Sequence, residues 1–331
     1  MGGRRIAAGA AAFLISAAGI DMGVQSSRAL EPSAAPAAPQ KAVGPKDCSR
    51  TSVGFTPLSD LKGGEYEGYK GGLYPGGNKP PKKYRAIGMK KARAIRPRND
   101  DGQPAPKGKI VLLSIGMSNT KGEFEVFEDL AAKDGSVDDS VMIINGAKGG
   151  QEAETIRDPN ARYWTRVENI VRGKAGSLKK VQVIWLKEAI ARPDEDFPDD
   201  AERLQGALSE IVDILRKKFK QLRIIYVSSR IYAGYATRKL NPEPYAYQSG
   251  FAVKWLIRDQ IRKAPGTRPW LAWGPYLWAD GMEERSDGLI WECDDLADDG
   301  THPSESGKQK VAEMLLDFLK TAPTAKSWFV D

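Results

Sequence analysis

One histidine occurs in 331 residues, and it lies in the stretch DDGTHPSESG as His302, three places after Asp299. Imidazole carries protons near neutral pH more readily than any other side chain. A carboxylate three residues earlier can curl back to one ring N–H and fix the tautomer. The other ring nitrogen is then free to act as a general base. A base of this kind needs a nucleophile, and Ser118 in Gly116-Met117-Ser118-Asn119 is the candidate, because it follows an apolar run and leads into a helix. Taken alone, Ser, Asn and Thr there are ordinary helix caps, and Thr120-x-x-Glu123 fits a capping box. Asn145-Gly146-Ala147-Lys148-Gly149-Gly150 is either a plain turn or a place where backbone N–H groups reach an oxyanion. Asp299 or Ser304 could simply cap the last helix. That account leaves the position of the single histidine unexplained, whereas a Ser118–His302–Asp299 triad accounts for it.

These loops need a scaffold that brings them together. From Lys109 onward, apolar runs recur at KIVLLSI (109–115), SVMIIN (140–145), VQVIWL (181–186) and LRIIYVSS (222–229). Continuous runs of this kind suit parallel strands covered on both faces. Leu204, Leu208, Ile211, Val212, Leu215 and Phe219 follow a helical stripe, as do Val311, Met314, Leu315, Phe318 and Leu319. The expected fold is a three-layer α/β/α sandwich with a mostly parallel, flavodoxin-like sheet. In such sheets ligands bind beyond the C-terminal strand ends, where the three loops fall.

Composition sets the surroundings. The chain is 41% hydrophobic with a formal net charge of +7. Much of the excess lies in KPPKKYRAIGMKKARAIRPR (79–98), but no helix-turn-helix, zinc or RNP pattern accompanies it, so no nucleic acid is expected as partner. Arg4 and Arg5 precede an apolar run from Ile6 to Ile20, and Ser27-Arg28-Ala29 offers a cleavage site. Residues 1–29 therefore read as a signal peptide, too short in its apolar part for a stable membrane span. The expected location is secreted, periplasmic or cell-surface. Residues 30–47 form an Ala/Pro-rich linker, expected to be disordered. Residues 48–108 form an irregular Gly/Pro/Lys-rich extension with no clear helical period, and 109–331 form the catalytic domain. In an oxidising compartment Cys48 and Cys293 could pair. One His and two distant Cys do not make a normal zinc set, so no metal or cofactor is expected.

Gly116 to Asn119 lacks the second glycine of the G-x-S-x-G elbow, and the acid sits beside the histidine, which argues against an α/β-hydrolase. With Asp299-x-x-His302 and the G-x-S-N form, the sequence resembles the SGNH (GDSL-like) hydrolases, closest to their carbohydrate-esterase, sialate O-acetylesterase-like branch. The resemblance covers roughly 109–321 and implies a serine esterase acting on carboxylic, in the first place acetyl, esters. It places the oxyanion donors at Ser118 and Gly150, with Gly149 as the neighbouring choice. The family's third donor, an asparagine after the third strand, is replaced here by Lys187 or Glu188. The side chain of Asn119 could supply that donor instead.

Substrate contacts are sought in two aromatic segments. Arg230, Tyr232, Tyr235, Tyr245 and Tyr247 follow the fourth strand, and Trp270, Trp273, Tyr276 and Trp278 come later. Interleaved with polar residues, such rings suit stacking on sugars, although they could equally pack a hydrophobic edge. The expected substrate is a small-molecule or polysaccharide ester. A non-catalytic glycan-binding protein with the same fold, or an O-acyltransferase using the same triad, are the alternative readings.

Overall fold

The computed structural model of the protein describes residues 45–331. The expected signal peptide and all but the last three residues of the linker lie outside them. A small hairpin, β1 (Glu65–Tyr66) and β2 (Tyr69–Lys70), precedes five further strands. These are β3 (Ile110–Gly116), β4 (Val141–Asn145), β5 (Val181–Lys187), β6 (Ile224–Ser228) and β7 (Trp270–Trp273). They pair in parallel in the order β4-β3-β5-β6-β7. This is the flavodoxin-like order, with its reversal point between β3 and β5.

Every residue of β3, β5, β6 and β7 is buried, so both sheet faces are covered. Right-handed crossovers at this strand order put α2 (Ser118–Lys133) and α7 (Glu305–Thr321) on one face. They put α4 (Arg162–Ala175), α5 (Asp199–Lys218) and α6 (Tyr245–Lys263) on the other. A short α3 (Ala153–Ile156) precedes α4, and α8 (Pro323–Phe329) ends the chain. The stripe on α5 is buried as its period predicts, through Leu204, Leu208, Ile211 and Leu215. Among the described residues no helix is long and apolar enough to cross a membrane.

Two features of the fold depart from sequence expectation. The run WLAW, taken from sequence only as part of an aromatic segment, is the fifth strand of the parallel sheet, β7. Residues 48–108 are mostly irregular, but they carry the hairpin and an 11-residue helix, α1 (Lys82–Ala92). Only Tyr84, Gly88 and Ala92 of α1 are buried, so its sequence shows little apolar period. At Gly88 a β-carbon would stand 2.4 Å from the Trp270 ring, so glycine is what lets the helix approach β7.

This segment also solves the open edge of the sheet. An edge strand leaves backbone groups without strand partners. On β7 the N–H of Trp273 donates to the Tyr74 hydroxyl (3.0 Å), and the Tyr84 hydroxyl donates to the Leu271 carbonyl (2.7 Å). A disulfide joins Cys48 to Cys293 across 245 positions, with Cα atoms 5.4 Å apart. Closing so long a loop restricts the unfolded chain. Replacing both cysteines with serine should lower stability by about 2–5 kcal/mol in urea unfolding. An unchanged unfolding midpoint would contradict this.

Candidate active site

Ser118 is the first residue of α2, at the C-terminal end of β3. Its backbone N–H belongs to the first helical turn, where donors lack intrahelical partners and the helix dipole favours negative charge. The proposed capping box is absent. Met117 occupies the N-cap without a side-chain hydrogen bond, the Thr120 hydroxyl donates to the Lys187 carbonyl (2.7 Å), and Glu123 turns inward to Lys187. Thr120 and Glu123 thus fasten α2 to β5 rather than cap it.

His302 arrives on the loop before α7, where Ser304 is the N-cap. Its Nε2 lies 2.7 Å from Ser118 Oγ, and its Nδ1 lies 2.5 Å from an Asp299 carboxylate oxygen. The carboxylate holds the ring proton on Nδ1, so Nε2 accepts from the serine hydroxyl. The other Asp299 oxygen accepts the backbone N–H groups of Thr301 (3.0 Å) and His302 (2.9 Å). Burial pushes this carboxyl's pKa up, but the hydrogen bonds from the His302 ring and the two N–H groups outweigh it. Asp299 is held well below the usual carboxylate range. Gly300, between them, has φ +64°, and a β-carbon there would lie 2.4 Å from the Tyr235 carbonyl oxygen. The tight Asp-Gly-Thr-His turn therefore requires glycine.

The Thr301 carbonyl ties the two halves of the site together. It accepts Asn119 Nδ2 from α2 (3.1 Å) and Arg230 Nη2 from the loop after β6 (3.2 Å). Arg230 Nε in turn donates to Asn241 Oδ1 (3.0 Å), and Asn241 Nδ2 donates to the Ile190 carbonyl (3.0 Å). Arg230 is fully buried within this chain of bonds.

Ser118 and His302 open onto a cleft of about 560 Å³, which Asn119, Gly150 and Arg230 also line. Gly150 has φ +72°, a left-handed conformation suited to glycine, and lies on the loop after β4. Gly149 stands near Ser118, its β-carbon position 3.7 Å from Ser118 Cβ, but it does not line the cleft. The remaining walls were not singled out from sequence. They include Glu152, Glu154, Arg192 and Asn241, with Ile190 and Leu240 as apolar patches. Most come from short loops whose residue types carry no signature of their own. The only pointer in the sequence was their position after strand ends.

Neither Lys187 nor Glu188 lines the cleft. Lys187 is bound to both Glu123 carboxylate oxygens at 2.5 and 2.6 Å, and both side chains are fully buried. Burial lowers the lysine's proton affinity, while the facing carboxylate opposes this. Lys187→Met alone leaves Glu123 buried without its partner and should cost about 3–5 kcal/mol. The double variant Glu123→Leu/Lys187→Met should recover most of that loss in chemical denaturation. Glu188 is buried, and among the described residues neither of its carboxyl oxygens has a hydrogen-bond partner. Burial and the Glu152 charge push its pKa well above the ordinary range.

The expected aromatic contacts are also corrected. Tyr232, Tyr235, Trp273, Tyr276 and Trp278 are all buried, and none lines the cleft. Their polar tips are taken up elsewhere in the fold. The hydroxyl of Tyr232 donates to the Arg50 carbonyl (2.7 Å), and that of Tyr235 to Trp291 (2.8 Å). Trp273 Nε1 donates to the Leu73 carbonyl (2.7 Å), and the Tyr276 hydroxyl accepts from Leu58 N–H (3.1 Å). Trp278 Nε1 donates to Glu243 (2.8 Å). Of the substrate candidates, Arg230 alone reaches the cleft.

No family model matches the chain, and no curated protein matches it. Solved structures do. A Bacillus subtilis protein aligns at 14% identity and TM-score 0.40, over 65% of this chain and 57% of its own. The chain therefore spans little more than half of that protein. A carbohydrate esterase family 2 enzyme with a carbohydrate-binding domain, from Corynascus thermopiles (Myceliophthora fergusii), aligns at 12% identity and TM-score 0.38. The match covers 68% of this chain and 69% of that one. A lipopolysaccharide acetyltransferase periplasmic domain from Salmonella ser. Paratyphi A aligns at 13% and TM-score 0.37, over 71% and 94%. At these identities and TM-scores the likeness carries no functional weight.

Proposed function

We propose that the chain is a serine esterase that removes acyl groups, in the first place acetyl, from carbohydrate. The observation that carries this reading is the hydrogen-bonded line from Asp299 through His302 to Ser118, opening onto a cleft. His302 takes the hydroxyl proton as Ser118 Oγ bonds to the ester carbonyl carbon. The backbone N–H groups of Ser118 and Gly150 are the donors proposed for the developing oxyanion; one such donor is typically worth about 10²–10³ in rate. Collapse breaks the bond to the alcohol, which leaves with the proton from His302. Water then attacks the acyl-enzyme, gives a proton to His302, and releases the acid and free Ser118.

The cleft walls support a neutral, hydroxyl-rich alcohol. They offer the carboxylates Glu152 and Glu154 alongside the guanidinium groups Arg192 and Arg230, so hydrogen-bonding capacity is high and net charge is balanced. The G-x-S-N form and the expected export support an extracytoplasmic glycan ester. A fluorophosphonate probe should label Ser118, and acetate should be released from an acetylated-polysaccharide panel. An unlabelled Ser118, or a panel that yields no acetate, would overturn the reading. Acyl transfer to an added sugar in preference to water would reassign the chain as an acyltransferase.

A further inference from the structure

Between Glu67 and Asp100 the sequence holds no acidic residue, while it holds ten lysines and arginines. The structure gathers the central part of that run on one surface. Helix α1 turns Tyr84, Gly88 and Ala92 inward, leaving Lys82, Lys83, Arg85 and Lys90 exposed; Arg93 and Arg96 continue the row beyond it. Arg223 and Arg268, just ahead of β6 and β7, extend the surface from the body of the domain. Burial lowers the proton affinity of Lys91, and Arg268, Arg223 and Lys90 add to the effect, so these charges sense one another. Their side-chain hydrogen bonds go to neutral oxygens. Lys91 reaches the Gly266 carbonyl (3.0 Å), Arg96 that of Ile95 (3.2 Å), and Arg223 the Gln221 amide (3.2 Å).

This surface lies at the N-terminal ends of the strands, opposite the cleft. Arg223 precedes β6 and Arg230, in the cleft wall, follows it, so the strand separates them by about 17 Å. A polymer held there leaves the cleft open. We propose that this row of cations is a docking surface for a linear acidic polysaccharide. An elongated row with few neutralising neighbours complements a chain bearing repeated carboxylate or sulfate groups. A helix that settles on a bilayer turns Trp, Phe or Leu outward. Here the exposed positions of α1 are Lys82, Lys83, Arg85, Ala86 and Lys90, and the one exposed large hydrophobic residue among those described is Met282. Single-stranded nucleic acid would call for exposed stacking rings, which α1 does not present.

The test uses the full chain with polygalacturonate and heparin as probes. Dextran, phosphatidylglycerol/phosphatidylcholine vesicles and duplex DNA serve as comparisons. Both acidic polysaccharides should retain the protein at low salt and release it as salt rises. Lys82→Glu/Lys83→Glu/Arg85→Glu/Lys90→Glu should weaken retention by about tenfold or more. Hydrolysis of a small activated ester should stay within about twofold in that variant. A parallel set with glutamine at the same four positions guards against misfolding and should show a smaller loss in the same direction. Ser118→Ala should bind the polymers like wild type, which keeps this result independent of the esterase reading. Undiminished retention of both charge variants, or tighter binding to DNA or vesicles than to either polysaccharide, would overturn the proposal.

Discussion

Ser118→Ala should lower hydrolysis of an activated acetate ester by about 10⁴–10⁶-fold while leaving the fold intact. The size follows from what the hydroxyl supplies. Without Oγ there is no atom to form the acyl-enzyme, and His302 has nothing to deprotonate except water. Among the described residues the Ser118 side chain hydrogen-bonds to His302 alone, at 2.7 Å, so truncation strands no buried polar group in the core. Thermal unfolding should therefore shift little. Comparing kcat/KM and Tm of the two proteins tests both halves. Equal hydrolysis by wild type and variant would sink the catalytic assignment, whatever the hydrogen-bond geometry.

The second large effect is expected at Asp299. Asp299→Asn keeps the shape of the turn but removes the charge that fixes the proton on His302 Nδ1. The imidazole is then free to adopt the wrong tautomer, and kcat should fall by about 10⁴-fold, with KM nearly unchanged. A pH effect on stability accompanies this. The folded carboxyl's pKa is depressed below its unfolded value of about 3.9, so its stabilising contribution is complete above that value. It is lost as pH falls through the lower, folded pKa. The asparagine variant should lack that acid-side loss, so the two proteins should converge in stability as the solution is acidified. A kcat within tenfold of wild type would remove Asp299 from the triad.

Much of this was legible in the sequence, and the parts that were not share a cause. β3, β5 and β6 announce themselves as continuous apolar runs, because strands buried on both faces have no polar side to interrupt them; the edge strand β4 carries a similar run although it is only partly buried. β7 is a four-residue run among prolines, glycines and other aromatics, and no local pattern separates it from a loop. The D-x-x-H turn was readable because its chemistry is local, with donor, acceptor and glycine within four residues. The aromatic side chains failed for the opposite reason. Whether Tyr232, Tyr276 or Trp273 faces solvent depends on residues 45–108, which lie far away in sequence and supply Arg50, Leu58 and Leu73 as their partners. Lys187 failed likewise. Its partner Glu123 stands 64 positions earlier, and only the packing of α2 on β5 brings them together.

On the proposed function, the bonds that run from Ile190 through Asn241 and Arg230 to the Thr301 carbonyl limit how the site can diversify. Asn241 lines the cleft, while Thr301 directly precedes His302. In many hydrolases the loops that choose a substrate can drift while the reacting groups stay fixed. Here the two share a single line of hydrogen bonds, so a change of taste at Asn241 also disturbs the aim of His302. New specificities should therefore arise more readily at Arg192, which lines the cleft outside that line, than at Asn241 or at Leu240, whose carbonyl accepts the Thr301 hydroxyl (3.3 Å). Variants selected for a new alcohol should show it, with altered Arg192 and an untouched Asn241.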